Sequence, residues 1–265
     1  MKNISMFGFD MDWSTWTWSW TLEDPTSLWC NLAICVFYAV SVKALQLWVA
    51  SDAKYTPPRW LEPFRKVHNI SLAIVSFLMF AVMTFIIYRD GRLNSWHDMS
   101  CRLTPNRGLY GFINFIYLVS KLWEWVDTYI LVLSQKPVIT LHWFHHMTTF
   151  TMAAFVHNFP VGGFALINCL VHTVMYMHYA TPVRWARPFI TSSQLLQFVV
   201  VLSIHLFGYL NPDTCFDVRP WFFEWLFCMG VVFGFFVMFL LFFVQEYVSK
   251  SGKGKDNKSK TKKEN

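Results

Sequence analysis

The sequence predicts an all-α, polytopic membrane protein with seven transmembrane helices, and three observations carry that prediction. Of its 265 residues, 55% are hydrophobic, 19% aromatic and only 14% charged, which excludes an ordinary soluble domain. Seven apolar segments approach or exceed the ~20 residues that cross a bilayer. The connections between them are short, so residues 27–249 make one membrane domain between an N-terminal segment, 1–26, and a tail, 250–265.

From the N-terminus, Asp10, Asp12, Glu23 and Asp24 stand among interleaved tryptophans, and no basic stretch precedes an apolar core. No cleavable signal peptide is therefore expected, and Trp13 to Trp20 reads as an interfacial belt. The apolar segments follow at about 27–47, 69–88, 110–133, 138–157, 162–180, 189–209 and 221–246.

Lys and Arg set the orientation. With seven spans, 43–68, 134–137, 181–188 and the tail fall on one side and hold 15 Lys and Arg; the N-terminus, 89–109 and 210–220 hold six. The richer side is cytosolic by the positive-inside rule. Arg89, Arg92, Arg102 and Arg107 run against it locally. The N-terminus is then lumenal, as is the sequon Asn3-Ile4-Ser5. The tail from Lys250 supplies +5 of the net +6. It reads as a solvated segment, so the basic balance does not point to nucleic acid. Its end, Lys262-Lys263-Glu264-Asn265, resembles the dilysine retrieval signal of endoplasmic reticulum membrane proteins.

The most informative segment is His142-Trp143-Phe144-His145-His146, three imidazoles at i, i+3 and i+4 inside an apolar run. Ionisable groups in a span are costly and mark functional sites. Three other segments carry polar residues at helical spacing: Lys121, Glu124, Asp127 and Thr128; Asn168, His172, Met175, Tyr176 and Tyr179; Thr191, Gln194 and Gln197. Such residues also serve as glue between membrane helices. That suits Thr191, Gln194 and Asn168, but suits Glu124 and Asp127 poorly, because an ion pair gains little over apolar packing. Four consecutive polar faces predict a shared polar chamber and name no reaction.

Six cysteines do not suggest a disulfide scaffold. Cys30, Cys35, Cys169 and Cys228 fall in spans as small packers. Cys101 and Cys215 lie in the two larger non-cytosolic loops, the one pair that topology allows to meet in an oxidising compartment.

Lys121-Leu122-Trp123-Glu124-Trp125-Val126-Asp127-Thr128 is followed by the histidine box, then by Asn168-Cys169-Leu170-Val171-His172-Thr173-Val174-Met175-Tyr176-Met177-His178-Tyr179 and Thr191-Ser192-Ser193-Gln194-Leu195-Leu196-Gln197-Phe198. In order and spacing these four resemble the signature boxes of the ELO/ELOVL fatty acid elongases, over about residues 25–250. His178 departs from the pattern, standing where many members have Tyr. Pro137 occupies a position where elongases of polyunsaturated acids often carry Gln. With Trp143, the chain looks more like the saturated and monounsaturated subclass.

The resemblance implies condensation of an acyl-CoA with malonyl-CoA to a 3-oxoacyl-CoA, CO2 and CoA, with helices two to seven around an acyl tunnel and no cofactor or metal. It implies that His145 carries the acyl group, since neutral imidazole is a nucleophile near pH 7. His172 and Asn168 would stand by the thioester and enolate, and His142 and His146 would orient or exchange protons. Asp127 or Glu124 would fix an imidazole tautomer. Lys121 would neutralise that pair, with Tyr176, Tyr179 and Gln194 lining the substrate. Lys136, Arg184 and Arg187 would meet CoA phosphates from the cytosol. The expected partners are the 3-ketoacyl-CoA reductase, dehydratase and enoyl reductase of the endoplasmic reticulum cycle, and a homodimer is allowed.

Three rival readings stay open at this point. Cys169, three residues from His172, is an alternative nucleophile. A di-iron desaturase or hydroxylase shares the His-Xaa-Xaa-His-His box but needs about eight histidines from three boxes. Here His68 and His97 lie outside the predicted spans, and His157, His172, His178 and His205 are scattered. A seven-span receptor or transporter is the third, against which stands the lack of internal repeats or broken segments.

Overall fold

The computed structural model describes residues 4–6, 9–11, 25–102, 104–155, 162–215 and 222–249. The tryptophan belt, Asn3 of the sequon, His157 and the lysine tail lie outside these. An N-terminal hairpin of β1 (Ile4–Met6) and β2 (Phe9–Met11) pairs Ile4 with Met11 in antiparallel register. The remaining regular structure among the described residues is helical.

α1 (Pro25–Ser51) opens on proline, whose missing N–H suits the first helical position. α2 (Leu61–Arg89) begins eight residues before the predicted span. Its first two turns are amphipathic rather than apolar: Leu61 and His68 are buried while Glu62 and Lys66 are exposed, so a hydropathy window misses them. Gly91, at φ 70°, turns the chain out of α2, where an added Cβ would sit 3.1 Å from Arg102 Nη1. α3 (Trp96–Cys101) is capped by Ser95, which accepts the Asp98 N–H at 2.9 Å. Two arginines that run against the charge rule are used locally: Arg92 donates to the Met99 carbonyl and Arg102 to that of Asp90.

The predicted span 110–133 is two helices, α4 (Gly108–Glu124) and α5 (Val126–Leu133), broken at Trp125. Trp125 is buried and pinned, stacking on Tyr38 at 4.2 Å and donating its indole N–H to the His146 carbonyl at 3.0 Å. The chain continues through α6 (Thr140–Phe155), α7 (Gly162–Ala180), α8 (Arg187–Leu210) and α9 (Phe222–Phe243), the last running into a π-helical segment, Val244–Ser249.

Six helices close a ring. α2 packs on α7, α7 on α8, α8 on α9, α9 on α6, α6 on α4 and α4 on α2. α1 lies outside it, against α5 and α6, and α3 packs on α8. The ring interior is layered. Towards one end, all six helices contribute to an apolar core that includes Met83, Ile113, Met152, Phe164, Val201 and Val232. Towards the other lie the start of α2, the end of α4, the start of α6 and the later turns of α7, which carry the buried His68, Lys121, Glu124, His146 and His172. Large apolar side chains such as Trp29, Phe37, Phe77, Phe85 and Phe223 are exposed on the outside, as a bilayer-facing surface requires.

Four helical stretches, 26–51, 61–89, 184–210 and 222–247, are each long and apolar enough to cross a membrane. The chain is a multi-pass membrane protein. The other three predicted spans do not reach that measure for physical reasons: one is broken at Trp125, α6 has 16 residues including three histidines, and α7, though 19 residues long, carries Asn168, His172 and His178.

Candidate active site

Three hydrogen-bonded groups surround the histidine box, each joining different helices. The first centres on Glu124, the last residue of α4. Its Oε1 accepts from Lys121 Nζ at 2.8 Å and lies 3.2 Å from His172 Nδ1 on α7. Lys121 and Glu124 are each 2% exposed. Lys121 also donates to Asn168 Oδ1 at 3.0 Å, and the Tyr117 hydroxyl donates to the same oxygen at 2.9 Å. A carboxylate only accepts, so the contact assigns the proton of His172 to Nδ1 and leaves Nε2 with a lone pair. With its carbonyl taken twice, Asn168 has its amide N–H groups left to offer. Glu124 Oε2 is buried without a hydrogen bond.

The second group is built on Thr128 of α5, whose hydroxyl meets Tyr38 of α1 at 2.6 Å and His142 Nε2 of α6 at 3.0 Å. The third is built on Asp127, which binds His68 Nε2 of α2 at 2.9 Å and the Tyr176 hydroxyl of α7 at 2.8 Å. The four residues Lys121, Glu124, Asp127 and Thr128, expected on roughly one face, thus bond to three different sets of partners. Trp125 itself keeps helical dihedrals, φ -61° and ψ -23°, so all four side chains still turn inward while bonding to different helices.

Within the box, the rings of His142 and His146 are 4.4 Å apart. His145 meets instead Phe235 of α9 at 4.7 Å and Phe239 at 6.1 Å. It remains within electrostatic reach of His172, Glu124 and Lys121. Its Nδ1 is buried without a hydrogen bond. His145 therefore stands at the join between the polar cluster and the apolar interior.

Other predicted residues stand apart from this cluster. Tyr179 is 43% exposed, its ring against Tyr176 at 5.9 Å and its carbonyl bound by Arg65 Nη1. Gln194 is half-buried on the Met175 sulfur at 3.3 Å. Lys136 and Arg184, in the connections, and Arg187, the first residue of α8, are exposed at the polar end of the ring. Cys169 is a buried free thiol. His178, the departure in the third box, accepts from the Val183 N–H at the end of α7. Cys101 and Cys215 are joined as a disulfide, Cα atoms 4.3 Å apart, tying α3 to the loop after α8. Among the described residues, one His/Cys/Asp/Glu group has ligand atoms within 4.8 Å of one another, His97, Cys101 and Cys215, and its two sulfurs are already bonded together.

A match to the ELO model, described as the GNS1/SUR4 family, spans residues 25–255. The chain belongs to the ELO family. "Fatty acid elongase A" of Dictyostelium discoideum is 29% identical over 82% of this chain and 83% of its own length. "Putative fatty acid elongase 3" of Caenorhabditis elegans is 33% identical over 73% of this chain and 65% of its own. Human "Very long chain fatty acid elongase 3" is 31% identical over 54% and 56%. The four boxes all lie inside the matched ELO region.

Sequence reasoning missed His68, Tyr38 and Tyr117, the ELO chain's buried partners of Asp127, Thr128 and Asn168. Signals for two of them exist. Tyr117 precedes Lys121 and Glu124 by four and seven residues, on their stripe. His68 falls in register with Leu61, Leu72, Met79 and Met83, a buried α2 stripe at alternating steps of seven and four.

Proposed function

We propose that this ELO family chain is the condensing enzyme of fatty acid elongation, joining a fatty acyl-CoA to malonyl-CoA with loss of CO2 and CoA. One observation carries the reading: His145 stands between the Lys121–Glu124–His172–Asn168 cluster and the apolar interior of the ring. That placement suits an acyl group whose reactive carbon meets polar residues while its tail is buried.

The reaction runs in two stages. An imidazole nitrogen of His145 attacks the acyl-CoA thioester; the N–C bond forms, the C–S bond breaks, and CoA departs as thiolate to be protonated. Malonyl-CoA then loses CO2, and its enolate carbon attacks the acyl-imidazole, forming the C–C bond and freeing the imidazole. Asn168 amide N–H groups stabilise the oxyanion that develops, and Glu124 holds His172 in the tautomer whose Nε2 takes up a proton and can then donate to it. His142 and His146 orient the box. Asp127 accepts from the Tyr176 hydroxyl, whose ring stands beside His172. Overall, one proton is consumed per cycle, because the malonyl carboxylate leaves as CO2 while CoA leaves as the thiol.

The chain crosses the endoplasmic reticulum membrane seven times, N-terminus lumenal and C-terminus cytosolic. The polar end of the ring then faces the cytosol, where Lys136, Arg184 and Arg187 meet CoA phosphates. Its substrates are saturated and monounsaturated acyl chains, and its product passes to the reductase, dehydratase and enoyl reductase. Support comes from the basic asymmetry of the loops and from Pro137 and Trp143. Microsomes given radiolabelled malonyl-CoA and a ladder of acyl-CoA primers test the reaction. Labelled 3-oxoacyl product from saturated primers is expected, and none from any primer would overturn it.

A further inference from the structure

His68 is a buried imidazole to which the condensation scheme gives no task. It is 1% exposed, with its ring 6.2 Å from that of Phe64 and 5.5 Å from that of Trp123. Its Nδ1 makes no hydrogen bond, so its polar chemistry is on Nε2, 2.9 Å from Asp127 Oδ1. The carboxylate accepts, hence Nε2–H donates. The other oxygen, Oδ2, accepts the Tyr176 hydroxyl at 2.8 Å, and the Tyr176 ring stands edge-on to His172 at 5.6 Å.

Asp127 lies in the first turn of α5, just past the break, and its side chain is 16% exposed. A carboxylate there, held from one side only, is free to turn towards water. His68 reaches it from α2 while Tyr176 reaches it from α7, the two helices that pack together in the ring.

We propose that His68 is a positioning residue for the condensation: its Nε2–H fixes the Asp127 carboxylate, which holds Tyr176 and, through that ring, the His172 imidazole in line with Glu124. The inference rests on the reading of His172 as a participant in the reaction. A histidine that merely fills space would behave differently, because an apolar side chain of similar length would serve as well.

The full-length enzyme with His68→Met, His68→Leu or His68→Gln is compared in detergent for kcat, for KM of both substrates and for thermal unfolding. Glutamine carries an N–H donor at about the reach of Nε2. Loss of an orienting partner elsewhere costs about 10–100-fold in activity. The expected result is a kcat fall of that order in His68→Met, KM values within about twofold, and return to within about threefold of wild type in His68→Gln. In an Asp127→Asn background, His68→Met should lower kcat no further. Equal impairment of the Gln and Met variants, or full multiplication of the two losses, overturns the proposal. His68→Leu gives the same comparison if the Met variant does not fold. All variants are scored on condensation rate against wild type. Failure of wild type to condense any primer sinks the functional reading, whereas an unaffected His68→Met enzyme sinks only this inference.

Discussion

His172 Nδ1 lies 3.2 Å from Glu124 Oε1, a contact between α7 and the last residue of α4 made where both side chains are buried. Lys121 holds the same oxygen at 2.8 Å. The carboxylate thereby does two things: it balances a buried cation and it fixes which imidazole nitrogen of His172 carries the proton.

Glu124→Gln should damage both. An uncompensated buried charge costs about 3–5 kcal/mol, so the variant should unfold at lower temperature in detergent. Loss of tautomer control should lower kcat by about 10³–10⁴-fold, the scale seen when an orienting carboxylate becomes an amide. Lys121→Met combined with Glu124→Gln should recover much of the stability and none of the rate. Normal turnover in the single variant would show that His172 needs no fixed tautomer.

α1 stands outside the ring, yet its Tyr38 reaches His142 through Thr128 by bonds of 2.6 and 3.0 Å. Tyr38→Phe should cost about 1 kcal/mol in stability and lower kcat several-fold. Ser41→Ala, which removes the neighbouring bond from α1 to Tyr129, should leave turnover unchanged. Steady-state kinetics on the two variants separates a specific effect of Tyr38 from a general loosening of α1.

The Cys101–Cys215 bond closes a loop with a sequence separation of 114 residues. Under the chain-entropy account such a loop contributes about 5 kcal/mol. Mass spectrometry of alkylated, non-reduced protein should find both thiols blocked. Cys101→Ser should lower the unfolding temperature while leaving condensation measurable at low temperature, because the bond lies away from the histidine box.

Helix existence is legible in the sequence wherever apolar length is the signal, as in α1, α2, α8 and α9. The histidine box and the pairing of Lys121 with Glu124 are legible from spacing alone. What is not legible depends on tertiary contact. Nothing local announces the break at Trp125, since tryptophan continues an apolar helix well; the break follows from a pinned indole between Tyr38 and the His146 carbonyl. Spacing likewise gives no sign that Glu124 and Asp127 take different partners, His172 for the first and His68 and Tyr176 for the second. His68 is hidden for another reason. It sits where charged residues lower the local hydropathy, although the helix has already begun seven residues earlier.

Lys262 and Lys263, outside the described residues, should direct retrieval to the endoplasmic reticulum. Replacing both with Ser should release the protein to later compartments, seen by immunofluorescence, with condensation in isolated membranes unaltered. Unchanged localisation would assign retention to the membrane helices or to partner enzymes.

The central claim is that His145 carries the acyl group before malonyl-CoA binds. The most direct measurement is free CoA released from acyl-CoA by purified protein with malonyl-CoA withheld, alongside mass spectrometry of the peptide around His145. The account predicts about one CoA released per active site and an acyl mass on His145. His145→Ala should abolish both, and Cys169→Ser should leave both largely intact. CoA release with acylation elsewhere in His145→Ala, or no release by wild type until malonyl-CoA is added, would contradict it.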